Sequence, residues 1–210
     1  MNKRLEKNHW YDGWIYAKLI DTQPIPFRHK ILNYLNQNST VLDVGCGTGG
    51  FTMEISKKCK HVVGIDISRK QILQAQNRIK NSEVKNIEFI HINAKNIVEI
   101  FDTKFDFALL TLILHEINHQ DRIELLEAVS KIAETIIILE YNVPHPYNVW
   151  GILTRTIEFF AGKNHFTNFL DFKKRGGINK ILKESNFQIS EEKINSKNIF
   201  KIVLASTNIY

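Results

Sequence analysis

A run of glycines lies between a strand pattern and a helix pattern in the first third of this 210-residue sequence. Residues 40–52 read TVLDVGCGTGGFT, in which a β-branched run that ends at Val44 is followed by a glycine-rich stretch. Glycine adopts backbone angles and permits close approaches that side chains exclude, so the chain is expected to turn there. The helix pattern that follows predicts unpaired backbone amides directed at the turn, which is a typical site for a bound nucleotide.

Acidic residues near this turn help to identify the nucleotide. Gly45, Gly47 and Gly50 also fit the G-x-G-x-x-G pattern of dinucleotide sites. However, Asp43 comes just before the turn, where a carboxylate suits an ammonium group and repels a pyrophosphate. Asp66 ends the next apolar run, where a carboxylate accepts hydrogen bonds from ribose hydroxyls. S-adenosylmethionine (SAM) carries both groups, so the pattern favours SAM over a dinucleotide or a purely structural turn.

The motifs VLDVGCGTG and GIDIS resemble the cofactor-binding core of the class I SAM-dependent methyltransferases, and the likeness extends over about residues 30–140. The resemblance implies an α/β fold of three layers, Rossmann-like and doubly wound. Its seven-stranded sheet is expected to be mostly parallel, with a C-terminal antiparallel hairpin formed by residues 187–194 and 200–207. Asn93 takes the place of the aspartate that commonly holds the adenine in this family. The expected cofactor contacts are Asp43, Gly45, Cys46, Gly47, Gly49, Asp66, Ile67, Asn93, Ala94 and Leu110.

His115 is the candidate catalytic residue. It follows the predicted fourth strand, residues 104–114, and the carboxyl end of such a strand faces the ligand crevice. It resembles a histidine often seen there in small-molecule methyltransferases, and it is interpreted as a general base or, alternatively, as a packing residue. HEINH, residues 115–119, has the letters of the zinc motif H-E-x-x-H but follows a central strand instead of lying within a long helix. No metal is therefore predicted.

Two aromatic segments flank this core and are candidates for binding the acceptor. Residues 1–20 are predicted to form a helical cap that places Tyr11 and Trp14 at the acceptor site or, alternatively, packs over the core. Residues 142–177 are predicted to be a helical insert after the fifth strand, and Tyr141, His145 and His165 are its candidate polar contacts. Within the insert, helical spacing predicts one buried apolar face formed by Trp150, Leu153, Ile157 and Phe160.

Length and composition fit a single domain over residues 1–210. The net charge is +6, yet the lysines are scattered among asparagines, so nucleic acid is not an expected partner. No stretch approaches the ~20 apolar residues that span a bilayer, and no apolar signal segment follows the charged start, so a cytoplasmic protein is expected. The two cysteines, Cys46 and Cys59, are interpreted as structural thiols. The oligomeric state is not indicated.

The expected function is the transfer of a methyl group from SAM to a small-molecule acceptor by in-line displacement. Two alternatives stay open: an RNA or protein methyltransferase, and a SAM-binding regulatory protein without catalytic activity. The motif Asn/Asp-Pro-Pro-aromatic of amino-methylating nucleic-acid enzymes is missing after the fourth strand, where the sequence reads TLIL. Neither cysteine follows a proline, as the nucleophile of a cytosine-C5 enzyme would.

Overall fold

A seven-stranded sheet in the order β3-β2-β1-β4-β5-β7-β6 lies at the centre of the computed structural model, which describes residues 27–80 and 82–207. The first five strands are parallel, and the last two form an antiparallel pair that joins the sheet beside β5. This arrangement confirms the predicted fold. The strands are β1 Thr40–Val44, β2 His61–Asp66, β3 Ile87–His91, β4 Phe105–Thr111, β5 Ala133–Tyr141, β6 Phe187–Ile194 and β7 Phe200–Thr207.

Helices connect the strands, and several begin at side chains that cap their first turn. The Asn118 side chain accepts a hydrogen bond from the backbone N–H of Asp121 at 3.0 Å, and Asn148 does the same for Gly151. None of the described helices has the length and apolar character needed to cross a bilayer. The α-helices are α1 Gly50–Ser56, α2 Arg69–Lys80, α3 His119–Ile132, α4 Val149–Phe160, α5 Lys163–Lys174 and α6 Gly177–Glu184, and short 3-10 helices cover Arg28–Asn33, Ala94–Glu99 and Leu114–Glu116.

The parallel strands are buried on both faces. Along β1, Leu42 and Val44 belong to one apolar cluster and Val41 to another, and Leu110 and Leu109 in β4 divide in the same way. Successive side chains of a strand point to opposite faces, so each cluster covers one face of the sheet. This double burial explains why these strands read as continuous apolar runs instead of alternating with polar residues.

The predicted buried face of α4 was wrong. Trp150, Leu153, Ile157 and Phe160 are 45% to 67% exposed, whereas the buried residues of this helix are Gly151, Thr154 and Glu158. The physical reason is that Glu158 is hydrogen-bonded inside the protein, which turns the polar side of the helix inward. The predicted helical cap at residues 1–20, with Tyr11 and Trp14, lies outside the described residues.

Candidate active site

The glycine turn connects β1 to α1 at the carboxyl end of the sheet. The backbone N–H groups of Gly45 and Cys46 both donate to the carbonyl oxygen of Ile65, at 2.8 and 3.0 Å, which ties the turn to β2. Gly49 has φ +77°, and a Cβ atom at this position would overlap the ring of Phe89. Gly49 is therefore required both by the backbone conformation and by the close approach of a neighbouring strand.

The two predicted acidic residues lie on either side of this turn. At the end of β2, Asp66 accepts hydrogen bonds from the backbone N–H groups of Gly47 at 3.0 Å and Ser68 at 2.7 Å, which fix its carboxylate beside the turn. Asp43 is buried in β1 and accepts a hydrogen bond from the hydroxyl of Thr52 at 2.7 Å. Backbone N–H groups of the turn and of the segment after β2 thus hold Asp66, whereas a side chain of α1 holds Asp43.

The other expected cofactor contacts have different surroundings. Asn93 precedes the 3-10 helix that begins at Ala94, and its side chain accepts a hydrogen bond from the backbone N–H of Lys95 at 3.1 Å. Ile67 is exposed, and Cys46 is buried. Leu110 is fully buried in β4, between strands β1 and β5. Because β1, β2 and β3 are neighbours, the glycine turn, Asp66 and Asn93 all lie at the carboxyl ends of adjacent strands.

His115 follows β4, the strand next to β1, and is only 1% exposed. Strand β4 ends earlier than predicted because Leu112 adopts a left-handed conformation with φ +57°, after which the chain forms the short 3-10 helix that carries His115. The ring Nδ1 is 2.7 Å from one carboxylate oxygen of Glu140 in β5. The other oxygen of Glu140 accepts hydrogen bonds from the backbone N–H groups of Leu114 at 3.1 Å and His115 at 3.2 Å.

Glu158 joins His115 to the insert. Its Oε1 accepts a hydrogen bond from the hydroxyl of Tyr141 at 2.6 Å, and its Oε2 pairs with Nε2 of His165 and lies 3.6 Å from Nε2 of His115. We call His115, Glu140, Tyr141, Glu158 and His165 the histidine cluster; all five are buried.

The structure thus brings three of the predicted site residues, His115, Tyr141 and His165, together around the carboxylate of Glu158. His145, the fourth, lies at the border of the cluster, its ring centroid 5.8 Å from that of Tyr141.

The charges in the histidine cluster shift the pKa values of its members. Burial alone would lower the pKa of His115, but the carboxylates of Glu140 and Glu158 outweigh this effect and raise the pKa to about 9. Burial would raise the pKa of Glu158, but its contacts with His165 and His115 lower it. Burial, followed by the carboxylate of Glu158, raises the pKa of Tyr141 well above its usual value. At neutral pH His115 is therefore protonated and Glu158 is ionised.

Sequence reasoning missed three residues that build this region: Glu140, Glu158 and Arg122. Arg122 is fully buried and donates to the carbonyl oxygens of Leu114 and Asn168, both at 2.7 Å, and to the carboxylate of Asp171 at 2.8 Å. It therefore ties the His115 segment to α5. Glu140 had a detectable signal, because it is a charged residue at the end of the apolar run TIIILEY. The others had none.

The motif HEINH does not form a zinc site of the H-E-x-x-H type. His119 lies at the start of α3, and its Nε2 is 3.4 Å from a carboxylate oxygen of Glu184 in α6. The ring of His115 instead contacts Glu140. The two histidines of the motif therefore have separate partners.

Comparisons with known sequences find similarity to methyltransferases. Residues 41–135 match the family model described as a methyltransferase domain. A probable cobalt-precorrin-6B C(15)-methyltransferase (decarboxylating) of Methanococcus maripaludis is 32% identical over 111 residues, which cover 52% of this chain and 59% of that protein. A tRNA (guanine-N(7)-)-methyltransferase of Clostridium botulinum is 36% identical over 110 residues, covering 47% and 50%. The chain spans about half the length of the curated relatives it matches.

Solved structures share the fold over most of the chain. A SAM-dependent methyltransferase of Methanosarcina mazei superposes with a TM-score of 0.61 at 20% identity, covering 85% of this chain and 96% of that one. The magnesium protoporphyrin IX methyltransferase of Synechocystis with bound SAH gives a TM-score of 0.64 at 16% identity, covering 93% and 88%. At these identities the likeness concerns the fold.

Proposed function

We propose that the chain is a class I SAM-dependent methyltransferase, which binds SAM and transfers its methyl group to a small-molecule acceptor. The family-model match over residues 41–135 and the seven-stranded sheet support this proposal. The observation that carries the proposal is the carboxylate of Asp66, which two backbone N–H groups hold beside the glycine turn. The residues present fit this cofactor, since Asp66 supplies an acceptor for ribose hydroxyls beside the glycine turn.

Each part of the proposed cofactor site has a distinct role. Asp66 accepts hydrogen bonds from the ribose, Asn93 binds the adenine edge, and the turn from Gly45 to Gly49 binds the methionine part, with Asp43 supplying negative charge for its ammonium group. The sulfonium of SAM is already a good leaving group. The chain therefore has to align the donor with the acceptor and exclude water, and no covalent nucleophile is required.

The cofactor assignment is tested by isothermal titration calorimetry with SAM, SAH and NAD. Asp66→Ala is expected to weaken SAM binding by roughly 1 to 3 kcal/mol, because charge-assisted hydrogen bonds to the ribose are lost. Asp106→Ala is the matched control, since Asp106 also accepts two hydrogen bonds, from the N–H and hydroxyl of Thr40, but at the opposite end of the sheet. Unchanged affinity in Asp66→Ala, or a chain that binds NAD and not SAM, contradicts the proposal.

His115 remains the proposed proton acceptor, although its surroundings oppose this role. A base has to be neutral, and the two carboxylates that raise its pKa to about 9 keep the ring protonated at neutral pH. If His115 is the base, His115→Gln should reduce kcat by ~100-fold or more while SAM affinity is unchanged. Near-normal turnover in the folded variant would mean that His115 has a structural role and is not the base.

Different observations favour a small molecule and RNA as the class of methyl acceptor. A small molecule is favoured by the precorrin methyltransferase relative and by the exposed apolar side chains of α4, which offer a surface for a flat or apolar compound. The tRNA methyltransferase relative and the net charge of +6 favour RNA instead. Binding to bulk tRNA at increasing salt separates the two. Micromolar affinity with a steep salt dependence would indicate RNA, and weak binding at all salt concentrations would leave the small molecule.

A further inference from the structure

The histidine cluster contains three potential metal ligands that converge. One potential ligand atom from each of His115, Glu158 and His165 lies within 4.8 Å of the other two, and all three residues are buried. They come from three different elements: the 3-10 helix after β4, helix α4 and helix α5. The cofactor assignment uses none of them.

The contacts of His115 leave one ring nitrogen directed at the other two ligands. Glu140 accepts from the backbone N–H groups of Leu114, His115 and Tyr141, so its carboxylate is an acceptor and Nδ1 of His115 is the donor to it. Nε2 is buried, and no hydrogen-bond partner for it is present in the part of the chain that the structure describes. Metal-ligating histidines commonly pair one ring nitrogen with a carboxylate in this way, which fixes the tautomer and exposes the other nitrogen to the metal.

The buried charges provide the second argument. The cluster holds the carboxylates of Glu140 and Glu158 in a region without solvent, and buried negative charges need compensation. A divalent cation bound to the three ligand atoms supplies two positive charges at that position. It would replace the proton on Nε2 of His115, because metal binding to histidine releases protons. A His115 that binds the ion in this way cannot also be the proton acceptor of the methyl transfer.

From this geometry we propose that His115, Glu158 and His165 form a binding site for a divalent transition-metal ion, with Zn²⁺ as the best-matched ion. Two imidazoles and one carboxylate are a known ligand set for zinc with a fourth position open to water or substrate. Ligand atoms of a tetrahedral zinc site are about 3.4 Å apart for bonds of about 2.1 Å. The separation of 3.6 Å between His115 Nε2 and Glu158 Oε2 is close to this value, and the contacting pair Glu158 and His165 would have to move apart to admit the ion.

The surrounding residues support the same role. Tyr141 donates its hydroxyl to the second oxygen of Glu158 and so orients the ligand carboxylate, as Glu140 orients His115. An ion at this position would connect the sheet edge to both helices of the insert. The proposal therefore departs from the expectation of no metal, and it uses only the first histidine of HEINH.

Metal content and stability test the site without any activity assay. The full chain, prepared without a polyhistidine tag and freed of metal with a chelator, is expected to bind one Zn²⁺ per chain in equilibrium dialysis. Its melting temperature should rise with added Zn²⁺, because the ion binds the folded state. Co²⁺ in place of Zn²⁺ should give the visible absorption of a four-coordinate site.

Variants decide whether the ion lies in the proposed site. His165→Gln and Glu158→Gln should each lose the stoichiometric ion and the rise in melting temperature, and Glu140→Gln should bind the ion roughly 10- to 100-fold more weakly. His119→Gln is the matched control and should retain both signals, since His119 contacts Glu184 instead. Circular dichroism checks that each variant folds.

Two results would overturn the proposal: a folded wild-type chain that binds no Zn²⁺, Mn²⁺ or Fe²⁺, or a folded His165→Gln variant that binds as much Zn²⁺ as wild type. Should Glu158→Gln not fold, the decision rests on His165→Gln and His119→Gln. Neither result depends on whether the chain transfers methyl groups.

Discussion

The glycine turn and the histidine cluster both lie at the carboxyl end of the sheet, but different interactions hold them in place. The turn depends on backbone geometry within one short stretch, and its hydrogen bonds run from Gly45 and Cys46 to the neighbouring strand β2. The cluster depends on side chains from β5, α4, α5 and the segment after β4. A site of the first kind is visible in the order of residues along the chain, whereas a site of the second kind exists only after the chain has folded.

This difference has a consequence for how each region responds to mutation. Substitutions in the turn should mainly change the affinity for the cofactor, because few distant elements contribute to the turn. Changes around the histidine cluster should act on stability, because they leave buried polar groups of several elements without partners. Three substitutions distinguish these behaviours.

The largest effect is expected for Arg122→Ala. This substitution removes the buried guanidinium that contacts Leu114, Asn168 and Asp171, and breaking such a buried network costs roughly 3 kcal/mol or more of unfolding free energy. Urea denaturation measures the loss. Arg175→Ala is the control, since Arg175 contacts the same Asp171 from a half-exposed position and its loss should cost less than about 1 kcal/mol. Equal costs for the two variants would refute a stabilising role for the buried arginine.

A smaller effect on stability, with a selective effect on the cofactor, is expected for Gly49→Ala. The added methyl overlaps the ring of Phe89 in a left-handed backbone conformation, and overpacking costs roughly 1 to 3 kcal/mol. SAM affinity should fall with it. Gly176→Ala has the same left-handed conformation, with φ +91°, but the nearest side-chain atom to the added methyl, Lys180 Cβ, would be 3.3 Å away, so SAM affinity should be unchanged. Calorimetry on both variants gives the comparison, and normal SAM binding by Gly49→Ala would contradict it.

The smallest effect is expected for Ile152→Ala on the exposed apolar side of α4. Ile152 is 64% exposed, so the change in unfolding free energy should stay within about 0.5 kcal/mol. Ile181→Ala, at a fully buried position in α6, should cost about 2 to 5 kcal/mol in the same urea experiment. A cost above about 1.5 kcal/mol for Ile152→Ala would mean that this side of α4 is covered in the folded protein.

The apolar side of α4 shows where sequence patterns mislead. Helical spacing correctly predicted that the insert contains helices, and the spacing of Trp150 and Phe160 predicted a buried stripe on one of them. The same periodicity also places Gly151, Thr154 and Glu158 on a common face. Which of the two faces is buried was decided by Tyr141 and His165, whose hydrogen bonds hold Glu158 inside. Periodicity identifies a face, but contacts with distant residues decide whether it is buried.

The sequence by itself determined the order of strands and helices and the position of the glycine turn with Asp43 and Asp66, because these depend on backbone preferences and charges within short stretches. It also provided the individual residues His115, Tyr141, His145 and His165. Only the tertiary structure decided that three of them share the carboxylate of Glu158, that Glu140 orients His115, and that Arg122 holds the surrounding segments together. These contacts join residues that are far apart in the chain, and local backbone preferences do not determine such long-range contacts.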